Sequence, residues 1–433
     1  MKKGSAAALL PILVFVVFYL GLGIWYEYIM KIPMGFYNIP IVVAFLLSIL
    51  VASLQNRNTF DDQLDLMANG LRDRNIITMI MIFLAAGIFV GVVGRSSANS
   101  VAYFILSLLP AEYSVVALFV ISCFVSLAMG TSCGTITLVT PIAVSLANAS
   151  GFSVPLCLAT VMGGAMFGDN LSFISDTTIA ACNGQGCHMQ DKFKENFAIA
   201  LPATILSLVL IQVMSGAEHI QVATTGHQYD LVKIIPYLFV LAGGIAGLNV
   251  FLVLLGGVLV GAFVMLVTGD LTFVKMLGNM GTGASGMFET SMVAILVPVM
   301  CALIKDSGGF DAILYFIQSC FKGNKGGKVG IGLLVSLLDI ATANNTVAIV
   351  VANPIAKEMA EHYKVTPRET ASILDIFSCV MQGVIPYGAQ MLILLGAAQT
   401  MGVVVSPLSV MQYLYYPYLL LLSVLVYIFV RKN

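Results

Sequence analysis

Of the 433 residues 59% are hydrophobic and only 9% charged, with a mean hydropathy of +0.98. A water-soluble domain carries about 25% charged residues, so most of this surface must face a lipid bilayer. The net charge of -1 offers nucleic acid nothing to hold. The eight cysteines are scattered through apolar segments, without the spacing of a zinc site or a disulfide framework. Cys182 and Cys187, beside His188, are a C-x4-C pair that is weak as a metal signal by itself.

A spanning helix needs about 20 mostly apolar residues. The first candidates cover about 8–29, 39–54 and 75–94. The first is too long for a secretory signal and has no small-residue cleavage site, so it reads as a retained span. The charged stretch 55–75 has apolar residues at Leu64, Leu66, Met67 and Leu71, a pattern that predicts a short amphipathic helix at the interface. Segments at about 101–109 and 115–129 lead to a polar break, GTSCGT (130–135). Further segments run to 148 and over 154–167. Next comes GDNLSFISDTT (168–178), which sets two aspartates, two serines and two threonines in a region as apolar as lipid. A polar loop is expected at 182–196, then a closing span from 197.

The second half begins again after a connecting loop at 217–230. Spans are expected at about 232–247, 248–267 and 285–304, with an interfacial piece at 269–283. The loop KGNKGGK (322–328) and a segment at 329–340 precede a second polar break, ATANNT (341–346). A segment at 370–381 precedes QGVIPYG (382–388), and a last span covers 410–430.

The halves are self-similar at a shift of 212–215 residues. Tyr103-Phe104-Ile105 matches Tyr315-Phe316-Ile317, Thr140-Pro141-Ile142-Ala143 matches Asn353-Pro354-Ile355-Ala356, and Met166-x-Gly168 matches Met381-x-Gly383. A shared shift signals a repeat. Basic residues prefer cytoplasmic loops. Lys2, Lys3, Arg57, Arg72 and Arg74 place the first face inside, and the loops near Pro110 and 148–153, without basic residues, fall outside. Their counterparts carry Lys322, Lys325, Lys328, Lys357, Lys364 and Arg368, so equivalent loops lie on opposite faces. The expected fold is an all-α polytopic membrane protein of two inverted-topology repeats, 1–216 and 231–433, with helical hairpins and discontinuous helices. In the first repeat, scaffold helices occupy about 8–94, the hairpin and broken helix 101–181, and the closing helix 197–216. Both termini come out cytoplasmic, with Arg431 and Lys432 at the end. Paired breaks suit a transporter, where discontinuous helices meet at the midplane.

A charge at bilayer depth costs roughly 2.5–3.5 kcal/mol on insertion scales, so Asp169 and Asp176 demand a reason. Asn170, Ser172, Ser175, Thr177 and Thr178 add oxygens beside them, and the other breaks supply Thr131, Ser132, Thr135, Asn344, Asn345, Thr346, Gln382, Tyr387 and Gln390. Hard cations such as sodium want oxygen ligands. Asp169 and Asp176 are the expected sodium ligands, with protons competing for the same carboxylates. Asp339 and Asp375 are the other deep acids and Asp339 joins the candidate site, while Glu289 lies near a span's end. No Lys or Arg is expected at depth, which makes the core net negative. No nucleophile and base occur at a recognisable spacing, so enzyme chemistry is not indicated, and no cofactor is needed beyond Na+ as the transported ion.

GDNLSFISDTT resembles the signature G-D-K-x-S-P-x-S-D-T-T of the NhaC-type sodium/proton antiporters of the ion-transporter superfamily. Gly168, Asp169, Ser172, Ser175, Asp176, Thr177 and Thr178 match. Asn170 stands where the family often has lysine, and Phe173 where it often has proline. The ANNT turn (343–346) is similar to hairpin tips of that superfamily. The resemblance implies an inner-membrane carrier of about ten or more helices, with scaffold and transport parts in each repeat and often a homodimer. The same family includes exchangers that couple malate and lactate movement to sodium and protons, so a carrier of a small carboxylate solute or an amino acid is the alternative. Loss of the lysine at 170 removes a positive charge beside the site and weakens that alternative.

Overall fold

The computed structural model describes residues 4–32, 38–72, 74–217, 229–246 and 248–430. Lys2, Lys3, Arg431 and Lys432, on which the orientation of the termini leaned, lie outside the described residues, as does most of the connecting loop.

Among the described residues the fold is helical throughout, and nine helical stretches are long and apolar enough to cross a membrane. The chain is therefore an integral membrane protein. It opens with α1 (Ala6–Glu27), α2 (Ile41–Gln55) and the amphipathic α3 (Phe60–Gly70). The hydroxyl of Thr59 caps α3 by accepting from the Asp62 N–H, with two acids in the first turn where the helix dipole favours them. The long α4 (Arg74–Leu108) breaks at Gly94, whose φ of 55 and ψ of -161 suit only glycine. This one residue replaces the loop expected between the spans on either side.

Then come α5 (Ala111–Met129), α6 (Ser132–Ser150), α7 (Val154–Leu171), α8 (Asp176–Gln185) and α9 (Met189–Ala217). The polar loop expected at 182–196 is thus largely helix: it closes α8 and opens α9. Helices α5 and α7 touch backbone to backbone, because a Cβ at Gly164 would come within 2.4 Å of the Phe119 carbonyl and one at Gly168 within 2.4 Å of that of Cys123. Small residues four apart allow such an approach in a membrane.

The second half contains α10 (Leu231–Ile245), α11 (Val250–Val267), α12 (Phe273–Gly286), α13 (Phe288–Asp306) and α14 (Gly309–Cys320). Next are α15 (Gly323–Thr342), α16 (Asn345–Tyr363), α17 (Pro367–Val384), α18 (Ala389–Thr400), the short α19 (Pro407–Met411) and α20 (Tyr415–Val430). KGNKGGK is helical from Gly323, and its Lys328 is buried in an ion pair with Glu369 at 3.0 Å. Helix α12, expected at the interface, packs lengthwise against α4, with Gly283 seated on Gly87 and Gly91.

Backbone features recur 213 residues apart. Left-handed residues end α5 at Gly130 and α15 at Ala343, and others follow α6 at Gly151 and α16 at Lys364. Thr131 and Asn344 cap α6 and α16, Pro141 and Pro354 lie inside them, and Thr59 and Thr272 cap α3 and α12. Helices α7 and α17 end, and α8 and α18 start, at the same interval. The register at the breaks is therefore two residues off the one suggested by matching Gly168 with Gly383. The partner of Asp169 is Gln382, and that of Asp176 is Ala389.

Candidate functional site

Both polar turns are hairpin tips. After Met129 the chain needs one left-handed residue, Gly130, and then restarts at Thr131, whose Oγ1 accepts from the Gly134 N–H. At the second tip Ala343 takes the left-handed conformation (φ 47), and Asn344 Oδ1 accepts from the Val347 N–H at 2.9 Å. A non-glycine residue there is strained by about 1–2 kcal/mol. The two extended breaks, 172–175 and 385–388, separate α7 from α8 and α17 from α18.

All four breaks face one cavity of about 70 Å³. It receives Thr131 and Ser132 from the first tip, Asp169, Ser175, Asp176 and Thr177 from the first broken helix, Asn344, Asn345 and Thr346 from the second tip, and Gln382. Thr78, Met79, Ile82 and Phe83 of α4 close one side. Helices α6, α8, α16 and α18 all begin here, so four positive helix ends surround the space.

Asp169 is 5% exposed. Ser175 donates to its Oδ1 at 2.6 Å and Ser132 to its Oδ2 at 2.8 Å. Ser175 occupies an N-cap position but spends its hydroxyl on Asp169 and on Thr177 Oγ1, 2.9 Å away. Ser132 is in turn bonded by Gln390 Nε2 at 2.7 Å, which brings α18 into the same network. Asp176 lines the cavity from the first turn of α8 and is exposed to it.

Six expected site residues are elsewhere. Ser172 Oγ donates to the Leu127 carbonyl and Thr135 Oγ1 to that of Thr131. Tyr387 donates to the Ile340 carbonyl at 2.8 Å and packs edge-on against Phe15. Asp339 lies fully buried behind the second tip, and neither of its carboxylate oxygens has a hydrogen-bond partner. Asn170 and Thr178 face the opposite way, toward a group absent from the expected set.

That group is Lys192, 1% exposed near the start of α9. Its ammonium lies 2.6 Å from Asp375 Oδ2 and donates to Thr178 Oγ1 at 2.6 Å and to the Asn170 carbonyl at 3.1 Å, using all three donors. Asn196 Nδ2 reaches the same Asn170 carbonyl at 2.9 Å and Asp375 Oδ2 at 2.8 Å, while Ser372 donates to Asn196 Oδ1 at 2.6 Å. The expectation of a core without lysine is corrected here, and so is that of Asp375 as an unpaired deep acid. The positive charge that the resembling signature carries at position 170 is supplied from Lys192, and Asp375 neutralises it. A helical reading would have found it. Lys192, Asn196, Ile199 and Ala203 are spaced as one face, and all four are buried.

Broken helices meeting hairpin tips at a polar cavity inside an apolar helical protein define the class: a polytopic protein built like a membrane transporter. Residues 6–216 match the model of the Na+/H+ antiporter family, and through that half the chain belongs to this family. It is 23% identical over 192 residues to the malate-2H(+)/Na(+)-lactate antiporter of Bacillus subtilis, covering 43% of this chain and 41% of that one. It is 24% identical over 257 residues to an uncharacterized Na(+)/H(+) antiporter of Haemophilus influenzae, covering 56% and 54%. A third relative is the Na(+)/H(+) antiporter NhaC of B. subtilis, 22% identical over 169 residues, covering 39% and 36%. The chain thus spans about half or less of the length of the curated relatives it matches.

Proposed function

We propose that the chain is a sodium/proton antiporter of the bacterial inner membrane that works by alternating access, with Na+ and H+ competing for Asp169 and Asp176. The observation that carries this reading is the cavity itself, which combines two carboxylates with hydroxyl and amide oxygens from both halves. Hard monovalent cations and protons are the cargo such groups suit. Size decides between an ion and an organic solute. One water needs about 10–15 Å³ of cavity, whereas pockets for small molecules run to about 300–1,000 Å³. About 70 Å³ suits an ion with a few waters. The named antiporter relatives support the same reading.

Recurrence of caps and breaks at 213 residues supports two repeats, 1–216 and 231–433, and the distribution of basic loops supports their inversion with both termini cytoplasmic. A homodimer is part of the proposal by family resemblance.

A second reading is favoured by one observation. Four half-helix N-termini converge on the cavity, an arrangement that attracts a carboxylate. The chain would then be a Na+- or H+-coupled carrier of a small organic acid or amino acid, as the name of the malate/lactate relative suggests. Proteoliposome flux separates the two. Sodium-driven proton movement without organic solute is expected, and proton flux that appears only on adding a carboxylate would overturn the antiporter reading in favour of the second.

A further inference from the structure

The site cavity does not end blind. Met79, Phe83, Asn344 and Ala389 also line a second, narrower space of about 40 Å³, walled by apolar side chains apart from Thr290, Thr342, Asn344 and Cys301. Thr290 and Leu392 are then shared with a third space of about 390 Å³. Ser285, Phe288, Glu289 and Gln399 line that outer space and are exposed, so it opens to the surface. Among its described lining residues Glu289 alone is charged. Glu289 lies in the first turn of α13, whose far end meets α2 where Asn56 Nδ2 donates to Asp306 Oδ2 at 3.0 Å. The opening is therefore at the end of the bundle opposite Asn56, the end expected to face outward if the basic loop at Arg57 is cytoplasmic.

We infer that these three spaces are one access route for the transported cation: a vestibule with Glu289 at its mouth, a dry collar of Met79, Phe83 and Leu392, and the Asp169/Asp176 cavity behind it. The inference rests on the reading of that cavity as the ion site. Each part has its physical reason. A carboxylate at the mouth of a low-dielectric cleft raises the local concentration of cations. An apolar constriction this narrow excludes water and blocks a hydrated ion until it widens. The structure is then closed at the collar and poised to open toward the vestibule, because nothing but side-chain packing separates the two spaces.

Thiol labelling of the full chain in oriented proteoliposomes, in a background free of native cysteines, tests the route. Ser285→Cys reports the vestibule, Ala389→Cys the site side of the collar, and Arg57→Cys the opposite end. Thr78→Cys, on another wall of the site cavity, is a second reporter should Ala389→Cys misfold. The expected result is that membrane-impermeant methanethiosulfonates modify Ser285→Cys from the face opposite to Arg57→Cys. Ala389→Cys should react from the same face as Ser285→Cys, roughly tenfold more slowly, and Leu392→Ala should remove most of that difference by wetting the collar. Glu289→Gln should lower the ratio of cationic to anionic reagent rates at Ser285→Cys by about threefold at low salt, the effect of one charge at ~7 Å in water. The route is overturned if both inner reporters react only from the Arg57 side, if Leu392→Ala leaves their rates unchanged, or if the charge ratio ignores Glu289. None of these measurements reads transport. A chain that labels as expected yet exchanges no sodium would defeat the proposed function and leave the route standing.

Discussion

Removing the Lys192 ammonium should be among the most damaging single changes in the protein, and removing Asp375 with it should undo most of the damage. At 2.6 Å the gross attraction of the pair is about 6 kcal/mol at an effective dielectric constant of ~20. Desolvating two charges costs several kcal/mol per ion, so the net worth of the intact pair is small. A broken pair is different. Lys192→Met leaves the Asp375 carboxylate buried with only Asn196 as donor, and takes a donor each from Thr178 and the Asn170 carbonyl. The expected loss is about 3–5 kcal/mol, the usual penalty for stranding a buried charge. Lys192→Met with Asp375→Leu should return to within about 1–2 kcal/mol of the parent protein, since an apolar pair of similar volume is often neutral. Unfolding of the detergent-purified protein, read for both single variants and the double, gives the coupling energy directly. If the double variant is as unstable as the sum of the singles, the two side chains are not acting as a pair and the reasoning fails.

Asp169→Asn and Asp176→Asn should each abolish sodium-dependent flux at unchanged expression, and wild-type flux in either variant would remove that residue from the site. Ser175→Ala should raise the sodium concentration for half-maximal flux, because Asp169 loses the nearer of its two hydroxyl donors; an unchanged value would mean that the network does not hold the carboxylate for the ion. Ala343→Gly should raise the melting temperature by relieving about 1–2 kcal/mol of left-handed strain, and an unchanged or lower value would mean that the tip carries none. Gly164→Leu should prevent assembly, since the new side chain meets the Phe119 carbonyl at 2.4 Å from its first atom; normal expression would contradict the packing described. Outside the spans, partial burial raises the Asp270 carboxyl, but hydrogen bonds from Lys233 and Ser96 outweigh it and hold the pKa below the ordinary value. The folded form therefore gains stability above the unfolded carboxyl pKa and loses it as pH falls through the lowered one. Asp270→Asn should be less stable than the parent at pH 7 and indistinguishable near pH 2, and a gap that persists in acid would refute the assignment.

The breaks were legible because glycine, threonine and asparagine interrupt stretches that are otherwise uniformly apolar, where each freed backbone group needs a purpose. Ten of the sixteen residues proposed from them line one cavity. The other six carry the same oxygens but turn them on local carbonyls, on Lys192 or, for Asp339, on no side chain, and composition does not encode that direction. Lys192 escaped notice because it stands in a polar run, DKFKEN, where a loop is the natural reading. Its burial follows from the helix that continues behind it. The repeat was visible in short identities, but its register was not: like residues matched Gly168 to Gly383, whereas caps and helix ends match Asp169 to Gln382. Tertiary geometry aligns backbone states, and identical side chains two residues away can mislead.

The hydrogen bond from Gln390 to Ser132 sets a condition on any motion of the protein. Ser132 serves Asp169 from the first half, and Gln390 holds Ser132 from the second. A displacement that parts the halves must loosen the donors around the carboxylate, and a cation that replaces those donors must ease the parting. Affinity at Asp169 and the position of α18 are thus two expressions of one free energy, each altering the other by the same factor.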